Sequence, residues 1–175
     1  LVLVEKLRVG ELTFPDQWLA VLPDAVFGNA DGILGIDVLQ RARVDVDIEN
    51  DEVVIRRSAR QYNRERLTVR ARLRSGGLLV VPGEVGRVRV KAIIDTGAER
   101  SLGNLKLREA LAARRRPPIG AVTQVVGATA QVAEGYSFIV PTIGFGGGVF
   151  VDNLTVTFGD FHVFRIWSLL DEPAL

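Results

Sequence analysis

The chain of 175 residues has no cysteine, no methionine and a single histidine, His162. Without cysteine there are no disulfides and no thiolate chemistry, and the redox compartment is left open. One histidine excludes a histidine-rich metal site and argues against a Ser/His/Asp triad; Ser101 and Ser168 have no histidine nearby and so no case as nucleophiles. His162 lies in the apolar run Phe161-His162-Val163-Phe164, which reads as strand with a packed or edge-exposed imidazole. The missing methionine and the opening Leu1 suggest an excised or processed fragment. No apolar run reaches membrane-spanning length, and Leu1-Val2-Leu3-Val4 is too short for the core of a signal peptide. The expectation is a soluble protein, cytoplasmic or periplasmic, with no membrane partner.

Charge of one sign is also lacking. The net charge of +1 supports no bulk electrostatic case for nucleic acid. Arginine nonetheless clusters over residues 56–74 and 114–116, which read as solvated linker or loop. An arginine-mediated nucleic-acid binder would require residues 60–74 to be ordered and one-sided, so the expected partners exclude nucleic acid.

What the sequence does have is alternation. Val44, Val46 and Ile48 alternate with Asp45 and Asp47, and Glu49-Asn50-Asp51-Glu52 then turns the chain into Val53-Val54-Ile55. This pattern predicts a β-hairpin with one buried face. Val88, Val90, Ala92 and Ile94 alternate with Arg87, Arg89 and Lys91 in a strand that ends at Asp95. Leu154, Val156 and Phe158 repeat the pattern. A short helix is expected over residues 104–114, capped by Asn104, with Leu107 and Leu111 on one face and Pro117-Pro118 ending it. Eighteen glycines suit a mainly β protein of tight turns. Asp37 reads as a helix cap, Asp31 and Asp171 as turn residues. Trp18, Tyr136, Phe138 and Trp167 read as core or groove-wall residues.

The chain also resembles itself. Phe14, Asp16, Gln17, Trp18, Ala20, Leu22 and Asp24 line up with Phe150, Asp152, Asn153, Leu154, Val156, Phe158 and Asp160 at a constant offset of 136 residues. Such repeats indicate duplicated units. The expected organisation is 1–57 as the C-terminal half of a first unit, 58–66 as a basic linker, and 67–175 as a second unit lacking its C-terminal end.

The chemistry concentrates at Asp95-Thr96-Gly97-Ala98. Ile93-Ile94 is expected to bury the approach, so that the aspartate emerges at a fixed place on a rigid strand. Gly97 permits a sharp turn and close approach of a partner segment. The Thr96 hydroxyl can tie one such turn to its neighbour. Two turns face to face would hold their carboxylates about 3 Å apart, where both cannot ionise and one proton is shared. One carboxylate then acts as general base on a water while the other protonates the carbonyl side.

These residues resemble the retropepsin-like aspartic peptidase family. The resemblance rests on Asp95-Thr96-Gly97-Ala98 after two isoleucines, and on Ile33-Leu34-Gly35-Ile36-Asp37-Val38-Leu39, similar to the family's hydrophobic-hydrophobic-Gly element and short helix. Gly127-Ala128-Thr129-Ala130 sits where a flap hairpin would fall, although an ordinary hairpin turn fits the residues equally well. The resemblance implies a mainly β, retropepsin-like fold, with each unit a closed, barrel-like body carrying one or two short helices. It implies an aspartic endopeptidase with Asp95, Thr96 and Gly97 catalytic and Ala98, Gly127, Ala128 and Thr129 binding a polypeptide substrate. No metal and no cofactor are implied. Ile33-Leu34-Gly35 precedes Asp95, the reverse of the family's order within one unit, so only one catalytic aspartate is visible. The second would come from a further unit of the same full-length protein or from a homodimer. The alternative is a non-catalytic module of the same kind, used for dimerisation or peptide binding.

Overall fold

The computed structural model describes residues 1–22, 30–39, 42–59, 67–74, 77–114, 120–127 and 132–175. The chain divides into two units, Leu1–Asn63 and Arg64–Leu175, at a point inside the basic stretch.

In the first unit, strands β1 (Val2–Val9) and β2 (Leu12–Leu19) form an antiparallel hairpin in which Leu7 faces Phe14 and Val9 faces Leu12. Gly10, at φ +57°, begins its turn in the left-handed region that glycine occupies without a Cβ penalty. A single helical turn, α1 (Ile36–Leu39), precedes a second hairpin of β3 (Ala42–Asp47) and β4 (Glu52–Arg57), paired Val44 to Ile55 and Val46 to Val53. Asp37 falls inside α1 rather than capping it. The second hairpin is the one that alternation predicts, but the expected buried face is open: Val46 and Val53 are 53% and 59% exposed. Among the described residues of this unit only Val38 is a buried apolar side chain. Trp18, read as core or groove wall, is exposed.

The second unit holds nine strands and two helices among its described residues. Short β5 (Arg72–Arg74) pairs with one edge of β6 (Leu78–Val85), and β7 (Val88–Ile93) pairs with the other. Gly86 and Arg87, both at positive φ, close the β6–β7 hairpin in the two-residue form that matches strand twist. The chain continues through β8 (Ser101–Gly103), α2 (Leu105–Ala112), β9 (Ala121–Val126), β10 (Val132–Ile139), β11 (Ile143–Gly144), β12 (Phe150–Val151), β13 (Thr155–Phe158) and α3 (His162–Ile166). One sheet runs β12-β11-β6-β5 with β7 on β6, the other β8-β13-β10-β9 with β8 parallel to β13.

The expected closed barrel is not what the described strands form. Both sheets are open. Beyond β7 the pairing passes to an irregular tail, where Lys91 N–H donates to Pro173 O at 3.0 Å and Ile93 N–H to Leu175 O at 2.8 Å. In the other sheet β8, three residues long, pairs only with β13 among the described residues before the chain enters α2.

Alternation explains the core. Val88, Val90 and Ala92 of β7 are buried, as alternation predicts. Val85, Val88, Val90, Leu107, Leu111, Val140, Ile143, Val156 and Phe158 form one cluster. Each large side chain in it contributes roughly 1.5–3 kcal/mol of burial. Phe138 stacks on Phe158 with centroids 4.6 Å apart. Helix α2 is the predicted one, with Leu107 and Leu111 inward and Asn104 as its cap; residues 115–119, including Pro117-Pro118, lie outside the described residues.

Two expectations need correction. Residues 162–166 are helical, not strand, because Phe161 and Phe164 share a face three residues apart and bury into a second cluster with Leu169 and Ala174. His162 is exposed on that helix. The repeat is real in geometry, but its offset changes. Leu7 faces Phe14 as Ile143 faces Val151, offsets of 136 and 137 residues on the two strands. Three glycines, Gly146 to Gly148, replace the Gly10-Glu11 turn and add one residue. With this shift Asp16 matches Asn153, and both are non-glycine residues at positive φ, +51° and +56°. Val4, Leu7 and Val9 then match Val140, Ile143 and Phe145, of which Val140 and Ile143 are buried and the other four residues partly buried.

Candidate active site

Strand β7 aims the candidate aspartate. Its buried residues fix the strand against the core, and Ile93 packs against the second cluster beside Phe161, Phe164 and Leu169. Ile94 hydrogen-bonds through its N–H to Leu79 O at 3.0 Å, but its side chain is 47% exposed, so only Ile93 of the pair buries the approach. The chain then turns. Gly97 N–H donates to Asp95 Oδ1 at 2.9 Å and Ala98 N–H to Asp95 O at 3.4 Å. Such a side-chain-to-backbone turn holds the carboxylate in one orientation without a partner from elsewhere.

Asp95, Thr96, Gly97, Ala98, Glu99 and Arg100 are all exposed. A Cβ added to Gly97 would meet only Asp95 Oδ1, at 3.4 Å, an ordinary contact. Nothing among the described residues of the unit therefore demands glycine at this position. Thr96 makes no side-chain hydrogen bond among the described residues. The turn is shaped from within and left open outward.

Below it the support is dense, and most of it has no local signature in the sequence. Asn104 is 2% exposed. Its Oδ1 accepts from Leu107 N–H at 2.8 Å, the helix cap, and from Ala174 N–H at 3.2 Å. Its Nδ2 donates to Leu169 O at 2.6 Å and Glu172 O at 2.7 Å. One amide thus ties β8 and α2 to the tail that lines β7 on the way to Asp95. Lys91 of that strand also pairs with Glu172. The signal that would have found the second cluster is the spacing Phe161, Phe164, Trp167, which is helical. Trp167, read as core or groove wall, does pack there, its ring edge-on to Phe164 at 6.4 Å.

Strands β9 and β10 form an antiparallel hairpin on either side of residues 127–131, paired out to Val126 opposite Val132. Gly127 follows β9 and is exposed, while Ala128 and Thr129 lie outside the described residues. Val125 and Ala133, near the tip, pack on the same cluster as Ile93 and Leu102. A file of hydroxyls, Thr123 to Ser137 at 2.7 Å and Ser137 to Thr157 at 2.8 Å, runs across β9, β10 and β13. Tyr136, read as core or groove wall, is half exposed with the Arg108 guanidinium 4.8 Å above its ring.

Among the described residues no group of three acidic, histidine or cysteine side chains is placed to hold a metal ion. No helix among them is long and apolar enough to cross a membrane. A depression of about 310 Å³ lined by Glu84, Arg87, Pro141, Thr142 and Phe150 shares no residue with the Asp95 turn. Comparison with protein-family models, with curated proteins and with solved structures finds no match to this chain.

Proposed function

We propose that Asp95 is one carboxylate of an aspartate dyad and that the protein is a retropepsin-like aspartic endopeptidase, its second unit spanning residues 67–175. The observation that carries this reading is the Asp95 turn: rigidly supported, held by Gly97 N–H at 2.9 Å, and exposed along its whole outer side. A second turn of the same kind, from a further unit of the full-length protein or from another copy, would bring its carboxylate against Asp95. Gly97 would let the two backbones approach, and Thr96 would give each a hydroxyl to bond across the junction. The pair holds one proton and titrates as a unit. The ionised member takes a proton from water as the water oxygen attacks the peptide carbonyl carbon, and the protonated member delivers its proton to the carbonyl oxygen. Collapse of the tetrahedral species breaks the C–N bond as the leaving nitrogen takes the proton the first carboxyl received from water, while the second carboxylate recovers a proton from a diol hydroxyl and the acid carbonyl re-forms. An extended substrate would lie under the β9–β10 hairpin, which would place Gly127, Ala128 and Thr129 beside it along with Ala98.

Peptide cleavage by the full-length protein is expected to peak below neutral pH and to be blocked by a statine-type inhibitor. Asp95→Asn should lower kcat by roughly 10²–10⁴-fold. Unchanged cleavage by that variant would remove Asp95 from the mechanism.

The same openness favours one second reading, a non-catalytic module that associates or binds peptide through this face. Under it, Asp95→Asn leaves binding intact and no cleavage is found at any pH.

A further inference from the structure

We infer that the first unit binds a β-hairpin of the β6–β7 kind along the outer edge of β1, centred on Leu7 and Arg8. The inference rests on the geometry of the repeat and not on the peptidase reading. In the second unit, Ile143 and Gly144 of β11 pair outward with Val85 and Glu84 of β6. That hairpin brings Val85, Val88 and Val90 onto Val140, Ile143 and Val156 to make the main core. The offset of 136 residues puts Leu7 where Ile143 stands and Arg8 where Gly144 stands. Yet β1 has only β2 beside it among the described residues. Val4, Leu7 and Val9, the matches of Val140, Ile143 and Phe145, stay partly exposed.

The backbone of β1 is prepared for a partner. Lys6 lies opposite Pro15, which has no N–H. That pair is therefore a non-hydrogen-bonded one, and the alternation of an antiparallel ladder turns the N–H and C=O of Lys6 and Arg8 away from β2. Charge fits as well: by the register of the second unit, an incoming strand of the β6 kind sets its glutamate, Glu84, opposite Arg8. The occupant is thus an antiparallel hairpin with apolar residues alternating along both strands and an acid facing Arg8. Pairing of β1 with β1 of a second copy is the competing arrangement.

The test uses the 175-residue chain and a synthetic peptide of residues 78–93, the β6–β7 sequence itself. Adding the peptide should slow amide exchange at Lys6 and Arg8 by tenfold or more, with Leu7 and Val9, already turned toward β2, little changed. Lys6→Pro removes one outward N–H and should abolish the effect. Arg8→Glu should weaken peptide binding about threefold, and a peptide carrying Glu84→Arg should restore it. No alternating protection on adding peptide, or no rescue by the charge swap, overturns the proposal. So does the same protection appearing without peptide and growing with protein concentration, which would assign the edge to a second copy.

Discussion

Asn104 makes six hydrogen bonds: four through its side-chain amide, one from its own N–H to Ala174 O at 3.1 Å, and one that its C=O accepts from Arg108 N–H at 3.2 Å. Replacing it with alanine removes a helix cap, a loss near 1 kcal/mol, and leaves carbonyls of the tail without donors in a buried place. Asn104→Ala is therefore expected to destabilise the second unit by about 2–4 kcal/mol in urea unfolding. Asn104→Asp keeps the acceptor for Leu107 N–H but sets a carboxylate against Leu169 O and Glu172 O, so at neutral pH it should be no milder. Only the capping half of this residue's role is legible in the sequence. A cap acts over three residues, and its signature is local. The bonds to residues 169–174 span 65 to 70 positions and leave no local trace. Gly103 carries a similar hidden constraint, since a Cβ there would fall 2.5 Å from Phe158 Cε1. Gly103→Ala should cost about 1–3 kcal/mol by overpacking, and Phe158→Leu in the same chain should recover part of it.

At the scale of elements, turns written in local side chains came through and short apolar runs did not. The β3–β4 hairpin was readable because alternation and the Asp47 to Asp51 turn agree. Asp47 Oδ2 accepts from Asn50 Nδ2 at 2.9 Å and Oδ1 from Asn50 N–H at 3.2 Å. The side-chain bond from Asn50 first, and its backbone bond second, hold the Asp47 carboxyl below its ordinary value of 3.8. A depressed folded-state pKa contributes stability that is present above the unfolded value and is lost as pH falls through the lowered one. Exchange of the Asn50 amide should accordingly quicken, relative to its intrinsic rate, as pH drops below the ordinary carboxylate range. Asp47→Asn should flatten that limb of the profile. By contrast, Phe161-His162-Val163-Phe164 satisfies strand and helix periods alike over four residues, and only its burial against Leu169 and Ala174 decides for helix. The repeat failed by one residue for a related reason. A match of Phe14 to Phe150 is chemically attractive, but Phe150 is 65% exposed and the backbone register selects Val151.

The whole molecule is lopsided. Of seventeen buried apolar residues among those described, sixteen belong to the second unit and one, Val38, to the first. A unit of this size has little surface-to-volume advantage even with a complete core. Here both hairpins of the first unit show apolar side chains to solvent, and burial cannot offset the entropy of ordering them. At the candidate site the second unit holds the Asp95 turn from within and leaves its outer side exposed. The aspartate is legible in the sequence because strand, turn and glycine are local; under the proposed dyad its partner would stand on another unit and leave no trace near Asp95. Separated at the boundary between Asn63 and Arg64, the two halves should behave differently. Fragment 64–175 is expected to unfold cooperatively in urea with tertiary signals from Trp167 and the phenylalanines around it. Fragment 1–63 should show no cooperative transition alone, and should gain protected amides at Lys6 and Arg8 only when peptide 78–93 is added. A cooperative transition in fragment 1–63 without peptide would mean that the exposed faces of β1, β3 and β4 need no cover, and that the first unit is complete as it stands.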